Sequence, residues 1–127
     1  MDTSAQTSPV VLVVDDEEAI REAVRDILEL VEIQSILAAN GREAIELFIQ
    51  NRDRISAILL DLRMPVMSGS ETYEKLRELD RNVRIILSSG YDEKVSTLNF
   101  DADNALVFLR KPYALDALLA CVQDALN

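Results

Sequence analysis

The feature that most constrains the fold is an alternation of short apolar runs with amphipathic segments. The first run, at 10–14, is continuously apolar and β-branched, which is typical of a strand buried on both faces of a sheet. It stops at Asp15 and Asp16, and the next segment repeats apolar residues at spacings of three and four, as an amphipathic helix does. This alternation continues to the end of the chain. It predicts strands at 10–14, 34–38, 57–60, 83–87 and 105–109, and helices at 17–31, 42–50, 71–79, 93–98 and 115–126.

Strands that alternate with helices predict the α/β class with a doubly wound parallel sheet. Parallel strands need crossover connections, and these are nearly always right-handed. A chain of 127 residues fits one domain, which we expect at 9–127 behind a disordered leader at 1–8. The leader has neither the basic start nor the apolar stretch of a signal peptide, so a cytoplasmic location is expected.

Charge and composition exclude several classes of function. The chain carries 13 basic and 23 acidic residues, a formal charge of −10, which opposes binding to nucleic acid or to an anionic membrane. It contains no histidine, which excludes a Ser-His-Asp triad, a histidine metal site and a phosphohistidine within this chain. The single Cys121 is expected to be a small core residue.

Reactive polar residues follow several of the predicted strands. In doubly wound sheets, ligands bind beyond the carboxyl ends of the strands. One aspartate after a strand is often only a helix N-cap, but a set of such residues at one edge predicts a functional site. The residues in question are Asp15, Asp16, Asp61, Ser88 and Lys111.

The three aspartates in this set predict a metal site. Two carboxylates about 4 Å apart repel by roughly 4 kcal/mol at an effective dielectric near 20, so the cluster requires protonation or a cation. Oxygen ligands without histidine or cysteine favour Mg2+. A carboxylate beside that ion is a competent nucleophile toward phosphorus, and Lys111 could neutralise charge on the transferring oxygens. Taken alone, Lys111 could also be a solvated surface lysine.

The chain closely resembles the receiver domains of two-component signalling, the family that includes the chemotaxis response regulator. The resemblance runs from 10 to 125 and is carried by VLVVDDEE at 11–18, LLDLRMPVMSG at 59–69, ILSSG at 86–90 and FLRKPY at 108–113. It implies a flavodoxin-like receiver fold with strand order 2-1-3-4-5 and five helices. The SSGY run at 88–91 and the FLRKPY run look most similar to receivers of hybrid sensor kinases, with a single-domain regulator as the alternative.

The resemblance also implies a role for each residue of the acidic cluster. Asp61 would accept a phosphoryl group from the phosphohistidine of a histidine kinase or histidine phosphotransfer domain. Asp16, Asp61 and the backbone carbonyl of Arg63 would bind Mg2+ directly, and Asp15 would hold its water shell. Lys111 would pair with the phosphoryl oxygens.

By the same resemblance, Ser88 and Phe108 form a switch. Ser88 would move to the phosphoryl group, and Phe108 would turn into the space that this movement opens. The signal would emerge on the face made by the fourth predicted helix, the fifth strand and the fifth predicted helix, where a homodimer could also form. Without the resemblance, Phe108 would be interpreted as core and Ser88 as a strand-end cap.

Three other functions remain as alternatives. The first is a receiver-like module that is never phosphorylated and acts by protein contact, although such modules usually lose an acid or the lysine. The second is a flavin carrier, which would need a phosphate loop where Asp15 to Glu18 lie. The third is a stand-alone phosphatase or kinase, but the chain has neither the GxxxxGK[ST] nucleotide loop nor the hydrolase pattern of two acids one residue apart after the first strand. The expected catalysis is limited to the domain's own aspartyl phosphorylation and slow dephosphorylation, unless the parent chain is a hybrid kinase. The sequence identifies neither the kinase nor the output.

Overall fold

The computed structural model describes residues 9–62, 68–89, 105–111 and 113–126. Its sheet is parallel with strand order β2-β1-β3-β4-β5, so the predicted fold class and strand order are confirmed. The strands are β1 Val10–Val14, β2 Gln34–Ala38, β3 Ile55–Asp61, β4 Arg84–Ser89 and β5 Leu106–Arg110.

The helices of these ranges follow the predicted alternation. They are α1 Glu18–Leu30, α2 Gly41–Gln50, α3 Gly69–Leu79 and α4 Leu115–Leu126. Helix α4 is the fifth predicted helix, with the predicted bounds. The fourth predicted helix, at 93–98, and the leader at 1–8 lie outside the described residues. Among the helices described, none has the length and apolar character that crossing a bilayer requires.

The sheet is the middle layer of three. One face packs against α2 and α3, with Phe48 and Leu76 fully buried there. The other face packs against α1 and α4 through Leu28 and Leu118, which are also fully buried. Cys121 lies partly buried against this second cluster, in line with its prediction as a core residue. Because helices cover both faces, the polar residues of the interior strands collect at the strand ends.

The boundaries of the described elements differ from the sequence prediction by at most two residues, and the differences in α3, β3 and β4 lie next to the site. Helix α3 begins at Gly69 rather than at 71, because Ser68 accepts a hydrogen bond from the Glu71 amide in a capping box that starts the helix earlier. Strand β3 extends through Asp61 and β4 extends through Ser89, so Asp61 and Ser88 lie within their strands instead of following them. Ladder hydrogen bonds therefore fix the backbone of both residues.

Candidate metal and phosphoryl-transfer site

The sheet register brings the ends of β1, β3 and β4 together. Asp61 and Ser88 are direct neighbours across the β3–β4 pair. The Leu62 amide, just beyond Asp61, donates to the Ser88 carbonyl at 2.9 Å and continues the ladder past the acid. At the end of β1, the Asp15 amide donates to the Ala38 carbonyl of β2 at 3.1 Å. Three neighbouring strands thus hold Asp15, Asp61 and Ser88 at one edge of the sheet.

The three aspartates form a compact group of carboxylates. Asp15, Asp16 and Asp61 each offer one oxygen, and these oxygens all lie within 4.8 Å of one another. Asp15 and Asp61 are each only 3% exposed, whereas Asp16 is exposed. Close carboxylate oxygens that open to solvent on one side suit a hard divalent cation that retains several waters, as Mg2+ does. Arg63, whose carbonyl was predicted as a further ligand, lies outside the described residues.

Lys111 joins this group from the end of β5. Its ammonium nitrogen lies 2.9 Å from Asp15 Oδ2 and 3.3 Å from Asp61 Oδ2. Burial alone would lower the pKa of Lys111, but the hydrogen bond to Asp15 and the charges of Asp61 and Asp15 outweigh it and raise the pKa above its usual 10.5. Lys111 is therefore an ammonium at neutral pH and not a solvated surface lysine. The sequence analysis did not predict its contact with Asp15.

Asp15 is held at every polar atom. Besides the Lys111 contact, its Oδ1 accepts the Glu17 amide at 2.9 Å, and its backbone carbonyl accepts Nη1 of Arg21 at 2.8 Å. Sequence reasoning missed Arg21. One signal in the sequence could have found it. The helix dipole disfavours a basic side chain in the early turns of a helix, so a basic residue there indicates a specific contact.

Gly69 lets helix α3 approach the end of β3 closely. Its amide donates to the Leu62 carbonyl at 2.9 Å. A Cβ atom at this position would lie 2.3 Å from Leu62 Cα and 2.5 Å from the Asp61 carbonyl oxygen, closer than real Cβ atoms come. Only glycine allows this contact, which supports the backbone that carries Asp61.

The two predicted switch residues have opposite environments. Ser88 is 1% exposed, and its hydroxyl donates to the Leu60 carbonyl at 3.4 Å. The Phe108 side chain is 43% exposed, so it is not the core residue that an apolar strand alone would suggest. These positions are compatible with the predicted switch, whose movement stays a prediction.

Tyr113 borders the site just beyond Lys111 and packs partly buried against the cluster beneath α1 and α4. Burial raises the pKa of its phenol to about 12, because the phenolate would lose hydration. The nearby Lys111 opposes this shift, while the charge of Asp15 adds to it. The hydroxyl therefore remains protonated at neutral pH.

Comparisons with known proteins agree with this architecture. The chain is 38% identical over 120 residues to the response regulator MprA of Mycolicibacterium vanbaalenii, covering 92% of this chain and 50% of MprA. It is 29% identical over 116 residues to sporulation initiation phosphotransferase F of Bacillus subtilis, covering 91% of this chain and 92% of that protein. Chemotaxis protein CheY4 of Vibrio cholerae superposes with a TM-score of 0.83 at 28% identity, covering 94% of this chain and 99% of CheY4.

The chain spans half the length of MprA, so the comparison with MprA concerns one part of that protein. A family model supports the same assignment over nearly the whole fold. The model of the response regulator receiver domain matches residues 11–123, from β1 into α4. The chain belongs to the response regulator receiver domain family of two-component signalling.

Proposed function

We propose that Asp61 takes a phosphoryl group from the phosphohistidine of a partner histidine kinase or histidine phosphotransfer domain, in a transfer that depends on Mg2+. The observation that carries this proposal is the convergence of Lys111 on both Asp15 and Asp61 within a group of three carboxylates. A carboxyl group that is only 3% exposed at a strand end is an unusual placement for an acid, and a role as a nucleophile accounts for it. The name of the relative sporulation initiation phosphotransferase F agrees with a transfer of this kind.

The proposed step exchanges one bond to phosphorus for another. A carboxylate oxygen of Asp61 attacks the phosphorus atom in line with the phosphohistidine nitrogen, and an O–P bond forms as the N–P bond breaks. The imidazole nitrogen leaves with the bonding electron pair, which regenerates the partner's histidine. The product is an aspartyl phosphate, an acyl phosphate on this chain.

The residues around Asp61 would serve this step in two ways. Asp15, Asp16 and Asp61 would hold the Mg2+, which, when bound, neutralises charge on the transferring oxygens. The Lys111 ammonium would contact the phosphoryl oxygens, because it already lies 3.3 Å from Asp61. The carbonyl of Arg63 remains part of the proposed metal site.

We further propose that the phosphorylated state is transmitted through Ser88 and Phe108. Phosphorylation adds about two negative charges, and it shifts a conformational equilibrium only through contacts that differ between the two states. The Ser88 hydroxyl donates a long hydrogen bond, 3.4 Å, to the Leu60 carbonyl. It could give up this hydrogen bond for one to the phosphoryl group. Phe108 on β5 and Leu115 on α4 are large apolar residues that are exposed. Their exposure supports this side of the domain as the output face or the homodimer face.

The proposal includes a cytoplasmic location. It also includes no contact with nucleic acid through this domain, because a net charge of −10 opposes binding to a polyanion. Whether the domain acts alone or within a hybrid kinase does not change the chemistry proposed for Asp61. In either case, its own catalysis would consist of aspartyl phosphorylation and slow hydrolysis.

The test is to incubate the wild type and Asp61→Asn with a small acyl phosphate, with and without Mg2+, and to measure intact mass. We expect one added phosphoryl group on the wild type, only when Mg2+ is present, and none on Asp61→Asn. Ser88→Ala is a second control, because it alters the proposed switch but keeps the acceptor. No incorporation into the wild type, together with no Mg2+ binding, would instead favour a module that acts only by protein contact.

A further inference from the structure

We propose that Arg21 is a positioning residue for the metal-binding acids, because it holds the peptide bond that carries Asp16 into the site. The Arg21 Nη1 donates to the Asp15 carbonyl at 2.8 Å, and this carbonyl belongs to the peptide that joins Asp15 to Asp16. The inference rests on the proposed function, in which Asp16 is a metal ligand.

Asp16 depends on its backbone for orientation. It is exposed, and within the described ranges its side chain makes no hydrogen bond or ion pair. A short side chain with few torsions follows the backbone that bears it. The peptide after Asp16 is held as well, because the Glu17 amide donates to Asp15 Oδ1 at 2.9 Å. The peptides on both sides of Asp16 are thus fixed, one of them by Arg21.

Arg21 is also well placed to hold this peptide from a rigid element. It projects from the second turn of α1, whose Val24 and Leu28 are buried in the core, so the helix cannot easily shift. In the described part of the chain, this guanidinium makes only the one hydrogen bond, to the Asp15 carbonyl. Outer residues that orient metal ligands typically change metal affinity by about 10- to 100-fold when they are removed.

Positioning and simple charge make opposite predictions for Mg2+ binding. If Arg21 acted only as a nearby positive charge, its removal would reduce repulsion of the cation and tighten binding. If Arg21 orients Asp16, its removal lets the Asp16 carboxylate adopt other orientations and weakens Mg2+ binding. The sign of the change therefore separates the two roles.

Arg25 provides a matched control on the same helix. It lies one turn after Arg21, and its guanidinium contacts Asp26 at 3.2 Å, on the outer surface of the helix. Its side chain is 40% exposed. Arg25→Met changes the net charge by the same amount as Arg21→Met, but it touches no part of the site.

The experiment is a calorimetric Mg2+ titration of the wild type, Arg21→Met, Arg21→Lys and Arg25→Met, with folding checked by circular dichroism. We expect about a tenfold higher Kd for Arg21→Met and an unchanged or slightly lower Kd for Arg25→Met. Arg21→Lys should lie in between, since it keeps the charge and a donor but lacks the planar fork. Without Mg2+, the Asp16 amide resonance should shift in Arg21→Met and not in Arg25→Met.

A kinetic readout separates positioning from general damage. The rate at which Arg21→Met takes up phosphoryl groups from a small acyl phosphate should return to the wild-type value at saturating Mg2+. A lower rate at saturation, or a Kd for Arg21→Met that equals or falls below the wild-type value, overturns the inference and leaves the proposed function intact. A wild type that binds no Mg2+ contradicts the proposed function itself, and this outcome is visible without any variant.

Discussion

Two regions of the molecule contain an ion pair of similar length in very different surroundings. At the carboxyl end of the sheet, Lys111 and Asp15 approach to 2.9 Å, with side chains 19% and 4% exposed. On the outer surface of α1, Arg25 and Asp26 approach to 3.2 Å, with side chains 40% and 66% exposed. The Arg25–Asp26 pair is exposed to solvent, whereas the Lys111–Asp15 pair is largely enclosed by the ends of the strands.

The difference shows why only one of the two pairs can support chemistry. An exposed pair adds little to stability, because solvent and salt screen the attraction and both side chains lose conformational freedom when they pair. In the enclosed pair, each partner has given up hydration and depends on the other, so removal of one leaves an uncompensated charge. Lys111 moreover serves Asp61 as well as Asp15. The positive charge of Lys111 therefore offsets the negative charges of Asp15 and Asp61. Removing a charge from either side should alter both the stability of the fold and the reactivity of Asp61.

Replacing Lys111 with methionine should have the largest effect. In Mg2+-free buffer we expect a loss of about 2 kcal/mol in the free energy of unfolding, below the roughly 3 to 5 kcal/mol of fully buried pairs because the site opens to water. The rate of phosphoryl uptake should fall roughly 100-fold, as when one donor to a reacting oxyanion is lost. Urea unfolding and intact-mass kinetics measure the two effects.

The matched control for this change is Lys75→Met, which removes an exposed lysine from α3. It should leave both stability and rate near the wild-type values. Mg2+ should restore more stability to Lys111→Met than to the wild type, because the metal replaces the missing cation. Equal unfolding free energies for Lys111→Met and Lys75→Met would show that the enclosure of the pair has no energetic consequence.

Replacing Asp16 with asparagine should change stability in the opposite direction. Asp16 brings a third carboxylate oxygen within 4.8 Å of the other two but makes no described ion pair. Removal of its charge should stabilise the Mg2+-free protein by about 1 kcal/mol, the repulsion expected between charges about 4 Å apart in water. The stabilisation by Mg2+ should largely disappear. Urea unfolding with EDTA and then with Mg2+ tests both statements, and a destabilised Mg2+-free variant would refute the first.

Alkaline pH should lower the free energy of unfolding through Tyr113 and Lys111. Burial raises the pKa of Tyr113 from 10.0 to about 12, so the folded state retains a proton that the unfolded state releases. Stability from this group is complete below pH 10 and is lost as the pH rises toward 12. The pKa of Lys111 is raised as well, so its contribution is also lost in the alkaline range, above its ordinary 10.5.

The measurement is a phenolate absorbance titration of the wild type and Tyr113→Phe. Their difference should show one tyrosine with a midpoint near 12. In urea, the stability of the wild type should decline more steeply above pH 10 than that of Tyr113→Phe. A midpoint near 10 in the difference would mean that Tyr113 is not enclosed.

Much of the fold could be predicted because the apolar runs and the helical periodicity are local signals. The interior strands β1, β3 and β4 are nearly continuous apolar runs that are buried on both faces, and the sequence shows this directly. The start of α3 could not be placed correctly, since Gly69 and Ser68 have the composition of a loop. The capping box at Ser68 and Glu71 depends on a hydrogen-bond geometry that composition does not reveal.

The candidate site was predictable in membership but not in its contacts. That Asp15, Asp61 and Lys111 meet follows from parallel strands whose carboxyl ends share one edge, together with the family resemblance. That Lys111 lies closer to Asp15 than to Asp61 depends on side-chain packing. Arg21 and Arg25 are equally basic and lie on one helix, and only the structure separates the one that reaches the Asp15 carbonyl from the one that faces solvent.

The smallest effect is expected at the exposed pair. Arg25→Met and Asp26→Asn should each change the free energy of unfolding by less than about 0.5 kcal/mol, and a double-mutant cycle should give a coupling of similar size that vanishes in high salt. The corresponding cycle with Lys111→Met and Asp15→Asn should give a coupling several times larger that survives salt, since the two pairs differ little in length but greatly in exposure. Because the nitrogen–oxygen distances are so similar, the ratio of the two couplings measures what enclosure adds to an ion pair in this fold. Equal couplings would mean that the position of Lys111 matters for the chemistry of Asp61 alone and not for the stability of the sheet edge.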